Sequence, residues 1–109
     1  MIDGVLIAGM ARTALGSFQG ELSARTAPDL GAVAIRGALA DAGLAAEAVD
    51  ETVMGCVLPA GQGQAPARQA SRGAGIPDAV PCTTVNKMCG SGMKALTIGH
   101  DALIAGSAA

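Results

Sequence analysis

At 109 residues the chain holds one small domain at most, and half of it is hydrophobic with a single aromatic residue, so its core has to be built from Ala, Val, Leu, Ile and Met. A net charge of −2 gives no basic patch, which argues against nucleic acid as a partner, and no apolar run reaches the roughly 18 residues of a membrane helix. Three cysteines without CxxC spacing and a start lacking a basic region point to a reducing compartment, with a soluble cytoplasmic protein as the default expectation.

Val5 to Ala11 is a continuous apolar run, the pattern of a strand covered on both faces. A helix follows, opened by Thr26, with Pro28 and Asp29 in its first turn, and closed by Gly43. Its Leu30, Val33, Ala34, Gly37 and Ala38 recur at i, i+3, i+4, i+7 and i+8, which predicts one buried stripe. A second strand is expected from about Thr52 to Leu58. Pro59 to Gly63 reads as a glycine-rich turn, and Gly61-Gln62-Gly63 lacks the lysine and spacing of a phosphate loop. Pro66 begins a short helix that Gly75 ends. Pro77 and Pro81 bracket a loop, and Thr83 to Asn86 makes a third short strand. Gly92 to Ala105 is the last helix. Strand and helix alternate three times, so the fold class is α/β, with parallel pairing and right-handed crossovers.

The last helix is apolar around most of its circumference, with Met93, Ala95, Leu96, Ile98, Ala102, Leu103, Ile104 and Ala105 leaving only a narrow strip of Lys94, Thr97 and Asp101. Such a helix is normally enclosed on several sides. Three short strands cannot enclose it, which suggests that further sequence belongs to the fold.

Cys89 sits where a polar turn gives way to this helix. Unpaired N–H groups and the positive end of the helix dipole point at its sulfur and favour the nucleophilic thiolate. Gly90, Ser91 and Gly92 add no bulk, so a large substrate can approach closely. Position alone nevertheless favours a buried structural cysteine. His100, the single histidine, lies 11 residues further along the same helix, about 16 Å at roughly 1.5 Å per residue. General-base transfer works over about 3 Å or one water, so His100 does not serve Cys89. Cys56 reads as a small core residue of the second strand. Asn86 and Lys87 shape the turn before Cys89, since asparagine accepts unusual turn geometry.

The whole string Val85-Asn86-Lys87-Met88-Cys89-Gly90-Ser91-Gly92-Met93-Lys94-Ala95-Leu96, with Leu103 seven positions on, resembles the acyl-enzyme signature of the thiolases. Upstream, Ala11-Arg12-Thr13 and Leu15-Gly16-Ser17-Phe18 resemble the family's N-terminal block, with Ala14 where proline is usual. Met54-Gly55, Val57-Leu58, Ala60-Gly61, Gly63-Gln64 and Pro66-Ala67-Arg68-Gln69 resemble its second block, with Ala65 where asparagine is usual. Pro81 to Cys89 completes a third. The likeness covers the chain in register and is strongest to acetyl-CoA acetyltransferases.

The resemblance implies a thiolase-like fold of three β-α units with a mostly parallel sheet and Cys89 as the catalytic nucleophile at the N-terminus of the last helix. It implies that residues 1–109 are an incomplete N-terminal thiolase domain, without the loop domain and the C-terminal half. The family's Gly-His-Pro block and second catalytic cysteine are not in this sequence, so the fragment alone is expected to be inactive. The activity implied is condensation of two acetyl-CoA to acetoacetyl-CoA, or the reverse thiolysis. Coenzyme A thioesters are then substrates, no metal or redox cofactor is required, and the assembly is a homodimer or homotetramer. In thiolases the last helix lies between the two halves, and the strand begun by Cys82 pairs across the dimer, which places Cys82 near an interface. Gln64 and Arg68 belong to a block near that interface and the catalytic loops; a helix-start polar residue and an exposed arginine explain them equally well. Two other readings stand beside this one. A truncated half acting only as an interaction module is the first. A ketoacyl-synthase relative ranks below it, because the Thr-Ala-Cys-Ser-Ser context usual there differs from Lys87-Met88-Cys89-Gly90.

Overall fold

A computed structural model of the chain describes residues 4–109; the first three residues of the expected 1–109 domain lie outside them. Helix α1 (Ala27–Ala42) starts where the sequence signals it. Thr26 Oγ1 accepts from Asp29 N–H and the Asp29 carboxylate accepts from Thr26 N–H, both at 3.2 Å, so two orphan donors are satisfied reciprocally. Gly43 ends the helix at φ 67°, a conformation that glycine reaches without strain.

A short 3₁₀ turn (Ala46–Ala48) leads to strand β1 (Thr52–Gly55), helix α2 (Pro66–Gly73), strand β2 (Cys82–Val85) and helix α3 (Ser91–Ala105). The two strands are parallel, with Thr52 opposite Cys82 and Gly55 opposite Val85. β2 starts one residue before the expected Thr83 because Thr52 N–H already pairs with Pro81 C=O. β1 stops at Gly55, not Leu58: after Cys56 N–H has bonded to Val85 C=O, the partner strand turns away and the ladder has nothing to continue on. α2 ends at Gly73 with Ala74 as its cap, and Gly75, at φ 87° just beyond, is the expected glycine stop.

The apolar run Val5 to Ala11, expected as a strand, forms none. A strand needs a partner ladder, and among the described residues no backbone group bonds to this segment. It lies instead along α1. Met10 N–H donates to the Asp41 carboxylate at 2.9 Å, Gly9 lies against the backbone of Ala38 and Ala42, and Ala11 faces Gly37. The expected three β-α units are therefore, among the described residues, two parallel strands and three helices.

The α1 stripe is also displaced. Val33 is exposed, while Pro28 and Ala32 are the buried residues, because α1 meets α2 through small side chains. A methyl group added to Gly31 would come within 3.0 Å of Ala70 Cβ, and one added to Gly73 within 3.1 Å of Ala32 Cβ. Arg36 fastens the contact by donating to Gly73 C=O. Beneath α2, the buried hydroxyls of Thr52 and Ser71 satisfy each other at 3.1 Å.

The start of α2 shows what the alanine at position 65 does. Ala65 is the N-cap residue at φ 49°, a left-handed conformation that alanine rarely adopts, and it has no side-chain acceptor. The missing acceptor comes from β2, where Thr84 Oγ1 accepts from Ala67 N–H at 3.0 Å. Gln69 Nε2 donates to Gln62 and Gln64 carbonyls, both at 2.8 Å, and braces the glycine-rich turn. Replacing Ala65 by Asn, which tolerates left-handed backbone and can cap, is expected to stabilise the protein by about 1 kcal/mol, read as a rise in melting temperature.

The buried apolar residues among those described are Ala32, Ala67, Ala70, Ile76, Val80 and Ala95, nearly all small. Leu6, Ile7, Met10, Leu15, Leu58, Met93, Leu96 and Ile104 are exposed, and Phe18 is 92% exposed. The accessible surface, 7358 Å², compares with about 5400 Å² for a compact monomer of this mass. Residues 1–109 expressed alone are therefore expected to self-associate. Size-exclusion chromatography with urea unfolding checks this; a monomer with one sharp transition would count against it.

Candidate active site

The chain leaves β2 at Val85 and reaches α3 through a five-residue turn, Asn86-Lys87-Met88-Cys89-Gly90. Two side chains hold that turn. Asn86 Oδ1 accepts from Met88 N–H at 3.0 Å, and Asn86 Nδ2 donates to Val57 C=O at 3.4 Å, tying the turn to the end of β1. Ser91, only 5% exposed, accepts from Lys87 N–H at 2.9 Å and donates to Met88 C=O at 2.6 Å. Backbone bonds from Gly90 N–H to Lys87 C=O and from Ser91 N–H to Met88 C=O close it further.

Between these braces Met88 is held at φ 49°. For a non-glycine residue this backbone costs on the order of 1–3 kcal/mol and persists only where its surroundings impose it. The consequence is positional: the chain reverses sharply, and the next residue, Cys89, is presented as an exposed, unpaired thiol. It lies one residue before Gly90, the N-cap of α3, so the expected placement at the helix start holds, and among the described residues the thiol is exposed.

The donors around the sulfur follow from the same geometry. Lys87, Met88, Gly90 and Ser91 N–H are all taken up inside the turn. The N–H groups of Cys89, Gly92 and Met93 have no acceptor among the described residues. A methyl group added to Gly92 would meet nothing within 4 Å, so this side is open. An accessible sulfur beside unsatisfied N–H donors can attack an acyl carbon while the donors face the charge that develops on the acyl oxygen.

The turn rests on β1 at Gly55. A methyl group there would come within 2.5 Å of Ser91 C and 2.6 Å of Gly92 N, so only glycine lets the first peptide of α3 lie directly on the strand. Gly55 and the Ser91 hydroxyl are the two contributors that reading the sequence missed. Ser91 registered there only as a small residue, although a serine three residues after a turn carbonyl is a recognisable side-chain brace.

The other candidates fall away from Cys89. His100 is exposed on α3 and hydrogen-bonds Asp101 at 3.0 Å. Cys56 is half-buried beside Met54, Gly55, Ala67 and Ala70 in a small crevice between α1, α2 and β1. The Cys82 thiol is half-buried and donates to Val80 C=O. Gln64 is exposed, and Arg68 donates to Asp78 C=O at 2.9 Å. Among the described residues no group of three or more His, Cys, Asp or Glu could hold a metal ion, and no helix is long and apolar enough to cross a membrane.

Comparison with known proteins matches the geometry to one family. The thiolase N-terminal domain matches residues 5–109. The chain is 50% identical over 105 residues to the mitochondrial acetyl-CoA acetyltransferase of Rattus norvegicus, covering 96% of this chain and 25% of that protein. It is 54% identical over 104 residues to the acetyl-CoA acetyltransferase of Pseudomonas aeruginosa, covering 95% and 26%. The Acat5 thiolase from Ascaris suum, solved in complex with coenzyme A, superimposes with a TM-score of 0.93 at 40% identity, over 95% of this chain and 27% of that one. The chain thus spans about a quarter of the relatives it matches.

Gly55→Ala is expected to cost about 1–3 kcal/mol, since the added methyl meets backbone that cannot give way locally. Thermal unfolding checks the loss, and a variant as stable as the parent would mean that α3 does not depend on this contact.

Proposed function

The chain belongs to the thiolase family, matched over its N-terminal domain, and on that premise we propose that it is the nucleophile-bearing part of an acetyl-CoA C-acetyltransferase, with Cys89 as the acyl-accepting group. The observation that carries this reading is the exposed Cys89 thiol on a braced turn, beside N–H groups with no acceptor among the described residues.

The chemistry runs in two halves. Cys89 sulfur, its proton removed, attacks the thioester carbon of an acyl-CoA. An S–C bond forms and the carbonyl electron pair moves onto oxygen, where Cys89 N–H faces it. Collapse breaks the carbon–sulfur bond to coenzyme A, which departs as a thiol with a proton. The acyl group now sits on Cys89, and one difficult step has been divided into two. A second acetyl-CoA loses an α-proton and its carbanion attacks the acyl carbon, freeing Cys89 and releasing a 3-ketoacyl-CoA. Thiolysis is the reverse. One oxyanion donor of this kind is typically worth about 10²–10³-fold in rate.

Both halves need proton carriers. His100 is about 16 Å from Cys89 along α3, beyond hydrogen-bond reach. The histidine and second cysteine that the resemblance implies, and a site for coenzyme A, are not supplied by residues 1–109. Substrates are coenzyme A thioesters, with no metal or redox cofactor in the scheme. Assembly as a homodimer or homotetramer is carried over from the resemblance as part of this proposal.

Cys89→Ser in the intact enzyme is expected to leave folding unchanged and abolish the acyl-enzyme; acetyl exchange with coenzyme A at the parent rate would refute the assignment. Iodoacetamide is expected to label Cys89 before the half-buried Cys56 and Cys82, an order that mass spectrometry reads directly. Residues 1–109 by themselves are expected to show no detectable cleavage of acetoacetyl-CoA, because each missing acid–base group is worth about 10²–10⁴-fold.

A further inference from the structure

Met88 is the unsupported member of the nucleophile turn. Its side chain is exposed, its backbone is left-handed, and nothing in its own chemistry favours that conformation. Asn86 and Ser91 hold it from opposite sides, but not equally. The Asn86 bond satisfies the Met88 N–H from an exposed side chain, and its second bond, to Val57, is long at 3.4 Å. Ser91 is buried against β1, where the backbone of Gly55 passes beneath it. Its single hydroxyl spans both flanks of the peptide between residues 87 and 88, taking Lys87 N–H and giving its proton to Met88 C=O, at 2.9 and 2.6 Å. A group fixed to the sheet thus grips the turn one residue before the sulfur.

We infer that Ser91 is a positioning residue for Cys89, its hydroxyl locking Met88 in the left-handed conformation that aims the thiol at the acyl carbon and the Cys89 N–H at the acyl oxygen. This rests on Cys89 being the acyl-accepting nucleophile. Ser91 does not touch substrate. It acts only through the turn, so its removal affects the chemical step and not the affinity for acyl-CoA.

The test uses the intact enzyme. Ser91→Ala is expected to lower kcat for acetoacetyl-CoA thiolysis by about tenfold to a hundredfold, the range set by a misplacement of roughly 1 Å at a reacting group, while KM stays within about twofold. Adding Met88→Gly to Ser91→Ala lets the turn reach positive φ without the hydroxyl, and is expected to bring kcat back to within about threefold of the parent. This double variant also carries the test if Ser91→Ala alone fails to fold. Parent kcat in Ser91→Ala overturns the inference, as does a loss confined to KM. A folded double variant that recovers nothing overturns it as well. Cys89→Ser separates the two claims: if that variant is inactive while Ser91→Ala is fully active, the nucleophile stands and the positioning role falls. If Cys89→Ser is active, both fall.

Discussion

The arrangement of this domain depends on one close approach, the first peptide of α3 lying on the bare backbone of Gly55. Everything that makes Cys89 available follows from it. Because α3 begins directly over β1, the chain leaving β2 has only five residues in which to reverse. Within that span Met88 takes a left-handed backbone, held by Asn86 and Ser91, and the turn takes up every N–H from Lys87 to Ser91 except that of Cys89. A larger residue at position 55 would lift the helix, lengthen the path and remove the reason for the strain.

Strain at such a point is stable only where the surroundings are stiff. Here the stiffness is polar. The interior is built largely from alanine and glycine, whose contacts give close packing of α1 on α2 but little apolar area per residue. Directional bonds make up part of the difference: Thr52 with Ser71, Thr84 with Ala67, Ser91 with the nucleophile turn. Each joins two different elements, or an element to a loop, so the geometry near Cys89 is set by hydrogen bonds more than by bulk.

What could be read from the sequence was what is local. The capping box at Thr26 and Asp29, the glycine stop at Gly43 and the cysteine at the start of the last helix are encoded within a few residues, and the structure has all three. Val5 to Ala11 was misread because apolar continuity describes a strand's surroundings, not its partner, and among the described residues that partner is lacking. Val33 was misread because apolar recurrence marks a face without saying which residues meet a neighbour, and α1 turns its smallest residues toward α2. At the site, asparagine suggested where the unusual backbone would fall, yet it fell two residues later at Met88, with Asn86 serving as the brace. The importance of Ser91 and Gly55 arises from contact across some 36 positions, and no local pattern carries that.

The cap of α2 ties that helix to the sheet. A helix of eight residues is too short to persist unaided in water, and the acceptor for its N–H at Ala67 sits on Thr84, 17 residues further along. Packing on α1 holds the helix from one side, while its N-terminal donor is satisfied only with β2 in place, paired to β1. The cap of the helix and the pairing of the sheet are thus coupled. A substitution that removes the Thr84 hydroxyl is therefore felt at the start of α2 as well as in the sheet.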